Sequence, residues 1–301
     1  AGKVLAERLT AYPTYVKAMD HWIDERLHAS VVQASDADGL ARADQWSPGD
    51  GDARLPESVL DQLHITEPAH GSGRIVALCT KASSGQGLAE DEIADLFTVR
   101  GDDLGIVLHA ANALRQEVSG DEVTYVVNRN INYTNVCYFR CQFCAFSKGK
   151  LSENLRGAPY DLDLSEIRRR SHEAWERGGT EVCMQGGIHP EYTGETYLEI
   201  CRAVKAAEPD IHVHAFSPLE VWQGAETLGL TLREFLLKLK EAGLGTLPGT
   251  AAEVLDDEVR AELCPDKITT EQWLQVMETA HAVGFRTTAT IMYGHIDRPI
   301  H

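Results

Sequence analysis

Apolar and polar positions settle into two alternating rhythms from residue 88 onward. Leu104, Val107, Leu108, Ala111 and Leu114 recur at three- and four-residue steps in DDLGIVLHAANALRQEV, the stripe of an amphipathic helix, and LAEDEIADLF before it reads the same way. From residue 123, short apolar runs and helical stripes take turns. VTYVVN, TEVCMQGG, IHVHAFS, LGTLPGT and RTTATIMY read as five strands. DLSEIRRRSHEAWERGG, ETYLEICRAVKAA, TLREFLLKLKEAG and TEQWLQVMETAHAVG read as helices, with Asp163/Glu166 and Thr231/Glu234 at capping-box spacing. This alternation predicts an α/β protein in which helices cover a parallel sheet. The sheet can be doubly wound or barrel-like, with chemistry at the C-terminal strand ends.

The first third is less regular. PTYVKAMDHWIDERLHASVV has Pro13 placed to open a helix. QASDADGLARADQWSPGDGDARLPESV is rich in Asp, Gly, Ser and Pro and reads as a linker, and AHGSGRIVALCTKASSGQG continues loosely around Val76 and Leu78. The expected division is an irregular, partly helical extension over 1–87 and an α/β domain over 88–301. The chain opens on AGKVLAERLT, without a Met or a secretory pattern, and closes on GHIDRPIH just after a strand-like run. A piece of a longer protein is therefore expected.

With 301 residues, 43% of them hydrophobic, the chain can bury a sizeable core. A net charge of -18 argues against a broad basic surface for nucleic acid or anionic lipid. No apolar run reaches the roughly 18 residues of a membrane-spanning helix. Seven cysteines, three of them within eight positions, do not read as a disulfide framework, so a reducing cytoplasm is the expected setting.

Those three, Cys137, Cys141 and Cys144, form CxxxCxxC directly after the first predicted strand. Thiolates this close suit a soft metal or an iron–sulfur cluster. A four-iron cubane held by three cysteines keeps one iron open to a reactive ligand, by the logic that separates catalytic from structural zinc. A structural zinc with a distant fourth ligand, such as Cys183 or a histidine, is the alternative. Three buried apolar thiols are another, although Arg140 and Gln142 between them fit a buried run poorly. Cys79, Cys183, Cys201 and Cys264 lack cluster spacing and read as structural thiols.

CxxxCxxC, with the aromatic Phe143 just before the third cysteine, resembles the radical S-adenosylmethionine (SAM) superfamily. The resemblance implies a (βα)6 TIM-like barrel, of which five strands are visible here, and a 4Fe-4S cluster on Cys137, Cys141 and Cys144. It further implies SAM chelated at the open iron and cleaved reductively to a 5′-deoxyadenosyl radical. NRNINYTNVCYFRCQFCAFSKGK, MQGGIHP, HAFSPLEV, GTLPGTAAEVLDDEVR, LCPDKI and TIMYGHID are similar to the FO synthase family of deazaflavin biosynthesis. More narrowly they are similar to its tyrosine-using half, a 4-hydroxybenzyl transferase, since CQFC stands where the lyase half carries CGYC. That likeness implies L-tyrosine and 5-amino-6-(D-ribitylamino)uracil as substrates and cleavage of the tyrosine Cα–Cβ bond. Also implied are an electron donor such as ferredoxin or flavodoxin, and the lyase half as a fused or separate partner. Menaquinone-pathway enzymes acting on aminofutalosine or dehypoxanthine futalosine share the NYTN approach and remain an alternative, as does a non-catalytic zinc or iron–sulfur protein. With five strands of six, the chain by itself is expected to be unstable or to turn over poorly.

Around the cysteines the superfamily likeness sets Gly186 and Gly187 against the amino group of SAM, where a side chain would block approach; a tight turn needing positive φ can hold beside it, and cofactor contact is the favoured reading. Ser217 and Glu220, past the third strand, read either as ligands for the cofactor ribose or the tyrosine amine, or as a turn and helix start. Glu253 reads as a holder of a substrate amine or as a helix N-terminal acid. His189, His214 and His295 fall on the predicted active face, where a polar pocket or individual core roles are both open. Tyr133, His189, Glu253 and His295 are the candidate substrate contacts. Asn132, Thr134 and Asn135 are candidates for bracing the cysteine loop.

Overall fold

The computed structural model describes residues 13–35, 40, 71–139, 141–144 and 159–301. The chain divides into two compact units after Glu67. In the first, α1 (Pro13–Lys17), α2 (Met19–Trp22) and α3 (Glu25–Gln33) follow in succession. Asp24 caps α3 by accepting from the Arg26 N–H at 3.0 Å, and Ile23 and Val31 form a small core. The stretch read as a linker lies largely outside the described residues.

The second unit begins with α4 (Gly73–Ser83), α5 (Glu90–Thr98) and α6 (Asp102–Ser119). The first of these corrects the sequence reading, which left GRIVALCTKAS as loose chain. Ser72 caps it, and Ile75, Leu78 and Cys79 fall on one side, packing against Leu104 and Val107 of α6.

Five strands follow with their helices: β1 (Asn128–Asn132), α7 (Leu164–Glu176), β2 (Glu181–Gln185), α8 (Gly194–Ala207), β3 (His212–Ala215), α9 (Pro218–Leu228), α10 (Leu232–Glu241), β4 (Thr246–Leu247), α11 (Asp257–Leu263), α12 (Thr270–Ala282) and β5 (Arg286–Thr287). All pairings are parallel and the order is β1-β2-β3-β4-β5, with no reversal point. Sequential parallel order is the winding of a barrel rather than of a doubly wound sheet, whose order reverses.

The first strand does not fall on VTYVVN. Val123, Tyr125, Val126 and Val127 are exposed and, among the described residues, belong to no strand; Val127 O accepts from the Thr180 N–H at 2.8 Å, and pairing with β2 starts at Asn128 and Glu181. Partner availability overrides β-propensity here. The fifth strand is shorter than its sequence signal, but the chain stays alongside the β4 loop through Thr290 N–H to Gly249 O (3.2 Å) and Met292 N–H to Glu253 O (2.8 Å). Thr231/Glu234 make the expected reciprocal cap. Asp163 caps α7, but the Glu166 carboxylate turns to Arg169 and Arg170 instead of closing the box.

The strands are two-faced. Ile131, Val182, Met184, Val213, Ala215 and Leu247 are fully buried in one core with residues of the helices, among them Ile167, Leu198, Phe235 and Val276. The alternate positions are polar: the register places Asn130, Cys183, His214 and Thr246 in one row, with Glu181 and His212 one step below and Asn132 and Gln185 one step above. His212 Nε2 and His214 Nδ1 both hydrogen-bond Thr246 Oγ1, at 2.8 and 2.7 Å.

Candidate active site

The C-terminal ends of the strands are where the backbone departs from low-energy geometry. Phe216 after β3 and Ala251 and Glu253 after β4 hold φ of 63°, 60° and 53°, left-handed values that cost a non-glycine residue on the order of 1–3 kcal/mol. The β4 turn is held by Arg260 of α11, which is buried and donates to the carbonyls of Ala251, Ala252, Val254 and Ile268.

The cysteine loop is braced from both sides. Thr134 Oγ1 donates to Tyr160 O (2.8 Å) and accepts from the Val136 N–H (3.1 Å), while Asn135 Oδ1 accepts from the Tyr160 N–H (2.8 Å), so both residues hold the loop as expected. The Gln142 N–H reaches Leu263 O of α11 at 2.9 Å, and Cys144 closes a turn onto Cys141 O at 3.2 Å.

Gly187 donates its N–H to Thr134 O at 2.9 Å, and a Cβ on it would stand 2.3 Å from Val136 O. A Cβ on Gly186 would stand 2.2 Å from the Tyr133 ring. Neither glycine has positive φ. Their missing side chains are therefore needed for the approach of the cysteine-bearing segment itself, a third reason beside the two that the sequence offered.

Beneath this floor lies Glu220. It is fully buried, and its Oε2 accepts from the Ser217 N–H and Oγ, both at 2.6 Å, completing the N-terminal cap of α9. Its Oε1 accepts from the Tyr133 hydroxyl and from the Gly186 N–H at 3.3 Å. Burial pushes the Glu220 pKa up, and these hydrogen bonds only partly oppose it. Burial likewise raises that of Tyr133, with the Glu220 charge adding to it.

One pocket of about 240 Å³ gathers most of the candidates: Cys137, Cys141, Cys144, Phe143, Gly186, Gly187, Ser217, Glu220 and Glu253 all line it. Phe139, Ile188 and Leu219 give it an apolar side. Tyr133 is buried below the glycines and packs among Tyr192, Tyr197 and Phe216. His189 stacks on Tyr192, and His295 is tied to Met292 O and the Asp297 carboxylate; none of these three lines the pocket. His214 lies in the polar row of the sheet. Sequence reading missed Phe139, Ile188 and Leu219, and with them the polar lining residues Gln185, Thr250 and Lys267. The Thr250 hydroxyl is buried with no hydrogen-bond partner among the described residues. Lys267 pairs with Glu253 Oε1 at 2.5 Å and lies 5.5 Å from the centre of the Phe143 ring. Burial pulls its pKa down, but Glu253 with Cys141 and Cys264 outweighs that and leaves it raised. A lysine directly after CPD, in LCPDKI, was the available signal.

The thiols face one pocket, yet among the described residues no three His, Cys, Asp or Glu side chains converge as ligands of a single ion. Three soft sulfur donors lining one pocket suit an iron–sulfur cluster, each sulfur at its own iron. Burial raises Cys141 to about 11, with Lys267 opposing. The orphaned Thr250 hydroxyl on the pocket wall offers a hydrogen-bonding group to a second, polar ligand. The other four cysteines are buried or half-buried, and Cys201 is pushed up to about 12 by burial, as inert thiols are.

The radical SAM superfamily model matches residues 131–299, and the chain belongs to that superfamily. Its members use a 4Fe-4S cluster and SAM. Over its whole length the chain is 41% identical to FO synthases of Streptomyces coelicolor and Mycobacterium tuberculosis, of which it spans 39%. Over 71% of its length it is 46% identical to the 5-amino-6-(D-ribitylamino)uracil–L-tyrosine 4-hydroxyphenyl transferase of Methanothermobacter thermautotrophicus, covering 57% of that protein. Two solved structures share the fold. Methylornithine synthase (PylB) aligns at TM-score 0.52 with 19% identity, over 70% of this chain and 57% of that one. The FeFe-hydrogenase maturase HydG of Carboxydothermus hydrogenoformans aligns at 0.55 with 20% identity, over 75% and 50%. Among the described residues no helix is long and apolar enough to cross a membrane.

Proposed function

We propose that this chain carries the tyrosine-using step of deazaflavin formation, moving the 4-hydroxybenzyl group of L-tyrosine onto 5-amino-6-(D-ribitylamino)uracil. The 46% identity to the methanogen transferase, on a chain whose three thiols share a pocket with the glycine edge, carries this reading. When bound, the cluster supplies the electron that opens SAM to radical chemistry.

The chain's own groups have separable tasks. Cys137, Cys141 and Cys144 hold the cluster. Gly186 and Gly187 let the cysteine segment close onto the strand end, and the Ser217 and Thr250 hydroxyls offer hydrogen bonds to the cofactor. Phe139, Ile188 and Leu219 keep water from the reacting carbon. The polar row Asn130, Cys183, His214 and Thr246 offers donors and acceptors to the uracil and its ribityl chain. Tyr133, His189 and His295 act at one remove from the pocket. The lyase half of FO synthase is the proposed partner, a ferredoxin or flavodoxin the proposed electron donor, and the reducing cytoplasm the setting that free thiols favour.

The test is anaerobic reconstitution with iron and sulfide, then reduction with SAM, L-tyrosine and the diaminouracil, read by mass spectrometry. Deoxyadenosine with a 4-hydroxybenzyl adduct is the expected result. Deoxyadenosine without adduct moves the substrate elsewhere, to a futalosine for example, and a colourless protein with one zinc overturns the reading entirely.

A further inference from the structure

Lys267 is a charge placed where hydrocarbon would be cheaper. Its ammonium meets Glu253 Oε1 at 2.5 Å with side chains only 12% and 14% exposed, and it sits over Phe143, the residue preceding Cys144. Removing two such ions from water carries a large desolvation penalty before their attraction offsets it. Glu253 also holds left-handed backbone, at φ 53°. A brace between the cysteine loop and the β4 turn needs no charge, since a well-packed apolar pair of similar volume holds two segments as well or better. What the ion pair adds is an electric field. That field is oriented: both partners line the pocket of the three thiols, with the ammonium over the ring of Phe143, the residue before Cys144. A cluster on three thiolates concentrates negative charge in a poorly solvated pocket, and one more electron adds to it. A nearby cation favours that electron and a nearby anion resists it.

We propose that Lys267 and Glu253 form an oriented charge pair that sets the reduction potential of the cluster held by Cys137, Cys141 and Cys144, the ammonium raising it and the carboxylate limiting the rise. The inference rests on the reading that these thiols hold the cluster. Both residues are positioning residues, acting on the cluster through space.

The experiment is a redox titration of the anaerobically reconstituted chain, following the reduced-cluster signal by electron paramagnetic resonance. Lys267→Met is expected to move the midpoint to more negative potential and Glu253→Gln to more positive. Each shift corresponds to a roughly tenfold change in the reduced-to-oxidised ratio at fixed potential, about 59 mV for one electron. Lys267→Arg stays close to the parent. Opposite signs are the signature of a field; losing a brace from either side moves the midpoint the same way or leaves it in place, and that result overturns the proposal. Glu253→Gln keeps the volume and the ammonium, so it decides the matter even where Lys267→Met loads no cluster. A parent chain that binds no iron and gives no signal overturns the cluster reading and this proposal together, whereas shifts of the wrong sign remove only the tuning.

Discussion

Gly187→Ala isolates the fit between the cysteine segment and the strand edge. The added Cβ would stand 2.3 Å from Val136 O, 2.8 Å from Val136 C and 2.9 Å from Cys137 Cβ. Ordinary contact begins at 3.4 Å, so the two segments must part by about 1 Å. Two of the three obstructing atoms are backbone, so a rotamer change cannot relieve the clash. Overpacking of this kind costs about 1–3 kcal/mol. The Gly187 N–H to Thr134 O bond, 2.9 Å long, lies on the same line of separation and its weakening adds about 1 kcal/mol. The expected result is a loss of about 2–4 kcal/mol in urea unfolding at unchanged m-value. Reconstituted iron and sulfide per chain should fall too, because Cys137 is carried out of place. Gly73→Ala is the control, since its Cβ meets nothing within 4 Å and it opens a helix; its effect should stay within a few tenths of a kcal/mol. Parental stability and full iron content in Gly187→Ala would refute the close-approach argument.

Four further outcomes are expected. Tyr133→Phe leaves Glu220 Oε1 with only the long Gly186 N–H bond and should lose about 1–3 kcal/mol in urea unfolding while retaining iron. Arg260→Lys should destabilise by roughly 3 kcal/mol by the same measurement, because one ammonium cannot reach the carbonyls that Nη1 and Nη2 divide between them. Thr250→Val should stabilise the ligand-free chain by about 1 kcal/mol, since it removes a buried unpaired hydroxyl. The same change should weaken SAM binding about tenfold in isothermal titration of the cluster-loaded protein. Burial holds the His214 pKa below its ordinary 6.5, with Glu181 opposing and His212 adding to the shift. The unfolded chain then takes up the proton first, so stability present above pH 6.5 is lost as pH falls from there through the folded pKa. The parent-minus-His214→Gln difference in urea midpoint should decline over that window, and a flat difference would sink the argument.

What could be read in the sequence was local. Three thiols within eight residues, two adjacent glycines at a strand end, and Ser217 three residues before Glu220 each carry their signal in short spacing, and the pocket contains all of them. Helix stripes such as that of α10 were equally legible, because the 3.6-residue period is written into adjacent turns. What escaped depends on distant partners. Arg260 and Lys267 look like solvent-facing charges in polar segments, and only the tertiary fold shows one clamping four carbonyls and the other beside Glu253. Tyr133 read as a substrate contact from its place beside the cysteines, yet strand alternation turns it to the buried side with Ile131. Val123–Val127 had the composition of a strand, yet among the described residues only Val127 O, accepting from the Thr180 N–H at 2.8 Å, reaches a neighbour in the sheet.

Glu220 ties together residues that are far apart in sequence: its bonds to Tyr133 and to Gly186 close loops of 87 and 34 residues. Contacts of such span form late, after the intervening units have docked, because closing long loops is entropically slow. The three thiols, by contrast, are neighbours on the chain from the moment of synthesis. On the proposed assignment of the cluster to these cysteines, metal capture and construction of the wall that shields them are therefore separate events in time. Iron that arrives before β1, β2 and β3 have assembled meets reactive sulfur with neither floor nor apolar side, open to water and oxidant. The order in which the chain folds and is loaded then decides how much of the protein carries an intact centre.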